Sequence, residues 1–298
     1  MPLWDAELTV DSALAGRLVA AQFPDLAGLP VQLIGAGWDN TVYAVGEEWV
    51  FRFPRREIVL PGLRAEIDVL PRLAPLLPVP IPVPEHIGVP SDAFPWPFFG
   101  ARMLPGVELC EAPEPARTDL APQLGRALRV LHSNDVLGAV GARLPENLTR
   151  RADMQVRVPG LRERLGELAG LWHAPDHVYA VLDDAEALPP PQPVAVCHGD
   201  LHFRHVLIEG ARISGLIDWI DLCRGDPALD LQLVWSVLPP TERDAFFAAY
   251  GDVDDDTLLR ARAVALHLST MLAKYAHHEG LASLEREAVA SLDRAAGP

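Results

Sequence analysis

Between Leu77 and Phe99 the chain reads LPVPIPVPEHIGVPSDAFPWPFF, with prolines at 78, 80, 82, 84, 90, 95 and 97. Proline fixes φ and has no amide donor, so no helix can run through this stretch, and it suits an extended crossing strand or a loop. The stretch separates two kinds of sequence. Before it, VQLIGAGWDNTVYAVGEEWVFRFP carries β-rich runs at Val31 to Ile34, Thr41 to Val45 and Trp49 to Phe53. Gly35, Gly37 and the Gly46-Glu47-Glu48 turn punctuate them, which predicts a three-stranded antiparallel meander. LRAEIDVLPRLAPLL follows with Leu63, Ile67, Leu70 and Leu73 at helical spacing, and Pro71 is expected to end or kink that helix.

Past the prolines, FFGARMLPG resumes as a strand that stops at a Pro-Gly turn, which places a lobe boundary near residue 106. From Asp119 the spacing turns helical. Leu120, Leu124, Ala127, Leu128 and Leu131 share one face, with Thr118 as N-cap. Further helices are expected around Leu161 to Trp172, Asp176 to Ala187, Asp230 to Leu238, Glu242 to Tyr250, Asp256 to His278 and Leu281 to Ala295, with VAVC, HVLI and ISGLID as short β-like interruptions. The pattern predicts an α+β chain with a small antiparallel β-sheet lobe over 1–106 and a larger, mainly helical lobe over 107–298.

With 298 residues, 49% of them hydrophobic, and a mean hydropathy of +0.12, the chain can bury a large core. Its 25 lysines and arginines against 41 acidic residues give a net charge of −16. That field repels the phosphates of nucleic acids and anionic membranes and suits a small, cationic substrate. Three cysteines, Cys110, Cys197 and Cys223, form no CxxC pair, which fits a reducing compartment. The first residues show no basic stretch leading into an apolar core, and no uncharged apolar run approaches 18 residues. A cytoplasmic protein without a membrane partner is the expectation.

The chemistry concentrates in AVCHGDLHFRHVLIEG, Ala195 to Gly210, where His198, Asp200, His202 and His205 fall within eight residues. A metal cage would use these four side chains, although the HxxH pair lacks the glutamate of a zincin. A nucleophile is harder to find: no GxSxG elbow is near, and Cys197 ends an apolar run. Phosphoryl transfer needs a carboxylate for the acceptor hydroxyl, a metal ligand five residues on, and a second metal-binding carboxylate on a returning strand. Asp200, His205 and the Asp218 of GLIDW have that spacing.

HGDLHFRHVL followed by GLIDWIDLCRGDPALDL resembles the HGDxxxxN/H and IDW/IDF motifs of the aminoglycoside and macrolide phosphotransferases, kinase-like enzymes acting on small molecules. Ordered features at Gly35/Gly37, Arg52 and Glu66 extend the resemblance over roughly residues 25 to 240. It implies a bilobal, protein-kinase-like fold with Mg2+ and ATP or GTP held between the lobes. Asp200 would be the catalytic base, His205 and Asp218 the metal site, His198 a brace of the catalytic loop and Asp230 its anchor. Residues 35 to 40, including Asn40, would cover the nucleotide phosphates. Arg52 would contact them with Glu66 holding it, and Arg102 and Met103 would lead into the hinge that meets the purine.

Two positions depart from the family's usual pattern. His205 stands where asparagine is common, as it does in the 2''-aminoglycoside and macrolide branch, and Mg2+ prefers oxygen ligands. Arg52 stands where lysine is usual, and the two cations are not interchangeable. The resemblance implies a hydroxyl acceptor on an aminoglycoside, favoured by the acidic charge, or a macrolide, towards which GLIDW leans. A sugar, choline-like amine or homoserine kinase and a nucleotide-binding pseudokinase regulator stay open at this point.

Overall fold

The computed structural model describes residues 6–112, 119–146 and 149–297. These form two compact units, one holding the described residues up to 75 with 80–104 and the other 76–79 with the described residues from 105 onward.

The first unit is a five-stranded antiparallel sheet with two helices. Its strands are β1 (Val31–Ala36), β2 (Asn40–Val45), β3 (Trp49–Pro54), β4 (Pro84–Gly88) and β5 (Phe98–Arg102), arranged β1-β2-β3-β5-β4. The meander expected from the glycine punctuation is β1 to β3, and the proline-dense stretch yields β4 at the sheet edge. Edge placement follows from chemistry, because a proline cannot donate to a neighbour on both sides. Phe51 and Phe53 of β3 are fully buried and join Tyr43, Trp49, Phe94 and Phe98 in an aromatic core. Helix α1 (Ser12–Gln22), which the sequence reading did not anticipate, packs there through Ala15, Leu18 and Val19. Asp11 caps it, its carboxylate accepting the Leu14 N–H at 2.7 Å.

Helix α2 (Leu60–Leu73) buries Leu63, Val69, Leu70 and Leu73. Pro71 lies inside it, and the α-helix ends two residues later in a 3-10 turn over Ala74–Leu76.

The second unit is mainly helical. In chain order its helices are α3 (Leu120–Leu131), α4 (Asn134–Val140), α5 (Met154–Glu167), α6 (Asp176–Glu186), α7 (Ala228–Ser236), α8 (Pro240–Tyr250), α9 (Asp255–Glu279) and α10 (Ala282–Ala296). The Thr118 cap of α3 lies outside the described residues, and α4 was not foreseen. The long α9 is the hub, packing against α5, α6, α7 and α10. Its start is fixed by Asp254, which accepts the Thr257 N–H at 2.8 Å, so the acidic run here serves a helix N-terminus.

Two small antiparallel sheets carry the loops of interest. Strand β7 (Ala195–Cys197) pairs with β10 (Cys223–Gly225), while β6 (Val107–Glu108), β8 (Val206–Glu209) and β9 (Arg212–Leu216) form the other. Among the described residues no helix is long and apolar enough to cross a membrane.

Candidate active site

In the first unit, strand alternation sends Arg52 to the face opposite Phe51 and Phe53, and α2 covers that face. Arg52 is 7% exposed, and its Nη1 donates to the fully buried Glu66 Oε1 at 2.8 Å. The guanidinium carbon lies 5.9 Å from the Phe99 ring centroid. A buried pair like this holds only while both charges are present, since either alone would be stranded in a poor solvent for ions.

The β1–β2 hairpin carries Gly35 near the end of β1, Gly37 in its turn and Asn40 at the start of β2. Gly37 N–H donates to Asn40 O at 2.9 Å, and Arg55 donates to the Gly37 carbonyl. Neither glycine has positive φ. A Cβ on Gly35 would meet nothing within 4 Å, and one on Gly37 only Asn40 O at 3.9 Å. The fold therefore does not require glycine here, and the open backbone fits close approach by a ligand. Asn40 Oδ1 is buried and has no hydrogen-bond partner among the described residues, a second sign that this turn is shaped for something other than itself. Arg102 is exposed, donating to Glu48 Oε2 at 2.6 Å and stacking over Trp49, while the Met103 N–H donates to Glu48 O at 2.7 Å.

In the second unit the loop from β7 to β8 is held through many of its backbone groups. The fully buried Asp230, in the first turn of α7, accepts the His198 N–H at 2.8 Å and the Gly199 N–H at 3.0 Å. His132 Nε2 lies 3.1 Å from Asp230 Oδ2, and its Nδ1 lies 2.8 Å from the Tyr250 hydroxyl. Gln232 donates to Leu201 O, and the Ile217 N–H donates to His205 O at 3.0 Å. Gly199 has φ +86°, and a Cβ on it would sit 2.3 Å from Asp221 O. Only glycine fits between His198 and Asp200.

His198 is a brace. Its Nδ1 accepts the Asp200 N–H at 3.4 Å, so Nε2 carries the proton and donates to Ile217 O at 2.9 Å. Burial lowers its pKa to about 4, which keeps the ring neutral. His205 Nδ1 donates to Asp200 O at 2.8 Å, leaving the Nε2 lone pair 3.4 Å from Asp218 Oδ2. Asp218 has φ +64°, an uncommon backbone state that turns its carboxylate off the end of β9. Asp218 and His205 thus present a carboxylate oxygen and an imidazole lone pair to one point, a donor set that fits a divalent cation directly or through its water.

A zinc cage fits less well. Both His198 nitrogens are engaged, and His202 Nδ1 accepts the Arg204 N–H at 3.2 Å, placing its proton on Nε2, 3.9 Å from Asp200 Oδ2. Asp200, His202 and His205 are close enough to share an ion, but His202 aims a proton inward and no lone pair.

Asp200 has a partner that the sequence did not disclose. Arg151 Nη1 lies 3.0 Å from Asp200 Oδ1 and 2.9 Å from Asp221 Oδ2, and it donates to Gly199 O at 2.8 Å. Burial pushes the Asp221 carboxyl up, joined by the Asp200 and Asp218 charges, while the Arg151 guanidinium pulls it down. Asp221 had a faint signal, three residues after Asp218 in IDWID. Arg151, some fifty residues upstream, had none.

Residues 30–264 match the model of the phosphotransferase enzyme family, and the chain belongs to that family. It is therefore a phosphotransferase, with the mixed α+β, kinase-like fold of that class. Its relatives are distant. The uncharacterized protein YcbJ of Bacillus subtilis (strain 168) is 27% identical over 266 residues, covering 83% of this chain and 79% of the relative. A solved APH(2")-type enzyme in complex with GDP and kanamycin is 25% identical at a TM-score of 0.67, covering 94% of this chain and 97% of that one. The GDP complex of aminoglycoside 2'-phosphotransferase-IIIa superposes at 0.69 with 23% identity, covering 96% and 99%. A macrolide 2'-phosphotransferase from Brachybacterium faecium superposes at 0.58 with 24% identity, covering 95% and 98%.

Proposed function

We propose that this phosphotransferase moves the γ-phosphoryl group of ATP or GTP to an alcohol hydroxyl of a small molecule. The observation that carries this reading is the Asp200 loop. A partly exposed carboxylate is fixed by Arg151 on a backbone anchored to Asp230, beside converging cation-ligand atoms on His205 and Asp218. Asp200 orients the acceptor hydroxyl and takes its proton as the oxygen bonds to phosphorus and the nucleoside diphosphate leaves. Mg2+, held by Asp218 and His205, would offset charge on the phosphate oxygens. In the first unit, Arg52 contacts the phosphates with Glu66 fixing its direction, and the Gly35 to Asn40 turn covers them. Residues 1–106 form the nucleotide-binding part, with Arg102 and Met103 leading to the purine, and 107–298 the part that holds the acceptor.

Arg52 in place of lysine does not argue for a dead enzyme. Lys274 is the single lysine among the chain's 25 lysines and arginines, so arginine here follows the whole sequence. A guanidinium also grips phosphate oxygens in pairs. GDP in the neighbours' complexes supports a purine nucleotide as donor. Aminoglycosides and macrolides, the acceptors in the neighbours' names, open the panel of candidates, followed by sugars, amino alcohols and homoserine.

The test is to incubate purified protein with Mg2+ and ATP or GTP against that panel and detect phosphorylated product by mass spectrometry. In Asp200→Asn, transfer is expected to fall about a thousandfold with nucleotide affinity retained. Nucleotide hydrolysis and transfer both absent across the panel would sink the reading.

A further inference from the structure

One group of charges in the second unit has no part in the mechanism above and runs against the sign of the whole chain. Arg157 and Arg164 lie seven residues apart on α5, flanking its buried line of Met154, Val158, Leu161 and Leu165. Neither has a carboxylate within 4 Å among the described residues. Arg157 donates through Nε to Arg150 O at 3.2 Å and to the Thr149 carbonyl. It thereby underlies the segment that delivers Arg151 to Asp200. Arg164 has one polar neighbour, His267 Nδ1 on α9, at 3.5 Å, and its buried Nε has no hydrogen-bond partner. Gly160 leaves room for it, since a Cβ there would press 3.2 Å from both terminal nitrogens of Arg164.

Among the described residues the one side-chain hydrogen-bond partner of Arg164 is thus an imidazole that carries no compensating negative charge. His267 is 6% exposed, and burial, with Arg164, Arg157 and Arg151 adding to it, lowers its pKa to about 3. Burial and the charges of Arg151, Arg164 and Arg150 lower that of Arg157, with the Asp153 charge opposing them. Half-buried cations that repel one another near a neutral ring are an unfavourable arrangement for a protein to keep for its own stability. An anion would relieve it. The chain's net charge of −16 does not oppose this, because charges beyond about 8 Å are largely screened at physiological salt and the nearest groups decide.

We propose that the acceptor carries an anionic group, received by Arg164 with Arg157 beside it, while a hydroxyl of the same molecule reaches Asp200. This rests on the phosphoryl-transfer reading and narrows its acceptor class. Polycations of the aminoglycoside type would then be poor acceptors for this chain despite its acidic surface.

Gluconate, sorbitol and glucamine share a polyol skeleton and differ at one terminus, which is negative, neutral or positive. Their binding to the full-length protein is measured by calorimetry, in parallel with phosphoryl transfer. Gluconate is expected to bind at least about tenfold more tightly than glucamine, with sorbitol between them, the size of one charge-assisted hydrogen bond. Arg164→Gln removes the preference, and Arg164→Lys keeps most of it. Thermal unfolding of both variants shows whether the fold is intact. Equal affinities, the reverse order, no binding of any of the three, or an unchanged preference in folded Arg164→Gln overturns the proposal. Transfer to any alcohol without an anion preference would leave the phosphotransferase reading standing alone, and an anion preference without transfer would leave the basic site standing alone.

Discussion

The glycines at the β1–β2 hairpin and in the loop after β7 serve opposite purposes. Gly199 is demanded from within: positive φ, and an Asp221 carbonyl where a side chain would begin. Gly35 has ordinary φ and open space where its Cβ would go. The first glycine belongs to the fold and the second to whatever the turn receives. Their charged neighbours differ in the same way. Arg52 is paired with the Glu66 carboxylate, whereas Asp230 gathers two backbone donors and His132.

That contrast can be broken by substitution. Gly199→Ala is expected to lose about 3 kcal/mol or more of stability, because the backbone must shift at a packed, left-handed position. A denaturation midpoint unchanged from the parent would show that the close approach to Asp221 is not constraining. Arg52→Met is expected to lose a similar amount, about 3 kcal/mol, by stranding the Glu66 carboxylate in the interior. Adding Glu66→Leu should recover most of the stability without restoring nucleotide affinity, which separates the pair's two roles by chemical denaturation and nucleotide titration.

A smaller effect sharpens the picture of the helical unit. His267 titrates near 3 when folded and near 6.5 when unfolded, so the unfolded chain binds the extra proton between those values. Its contribution is intact above pH 6.5 and declines as the pH falls towards 3, by about 1 kcal/mol per unit. His267→Asn should make the stability profile less steep from pH 6 to 4, leaving the slope due to His198 and His202, whose pKa values burial also lowers. The smallest change in stability is expected from Gly35→Ala, within about 1 kcal/mol of the parent. Its effect should appear instead as a raised KM for nucleotide. A large drop in melting temperature would mean that this glycine, too, belongs to the fold.

How much of this was legible before the structure depended on where each residue sits. β1 to β3, α2 and most helices of the second unit follow from alternation, helical spacing and glycine or proline punctuation, although α5 starts and ends several residues before the expected Leu161 to Trp172. Arg52 and Glu66 lie on such regular elements, and strand alternation already set Arg52 apart from Phe51 and Phe53. Helices α1 and α4 were missed, one short and weakly amphipathic, the other only two turns. In the HGD loop the residue types alone left a metal cage and a phosphoryl-transfer site both open, and the duties came from the family resemblance. His202, the residue that made the cluster look most like a zinc site, turns a proton towards Asp200.

The sequence by itself determined the order of elements, the division of character at the proline stretch and the spacing of Asp200, His205 and Asp218, because these follow from local dihedral preferences and periodicity. Only the tertiary structure decided which charges meet. Arg151 reaches Asp200 across nearly fifty residues, Asp230 captures a loop thirty residues before it, and Arg164 faces His267 from another helix. No local pattern encodes such meetings, since electrostatic and hydrogen-bond partners are chosen by distance in space, and chain separation carries almost no information about that distance once helices have packed.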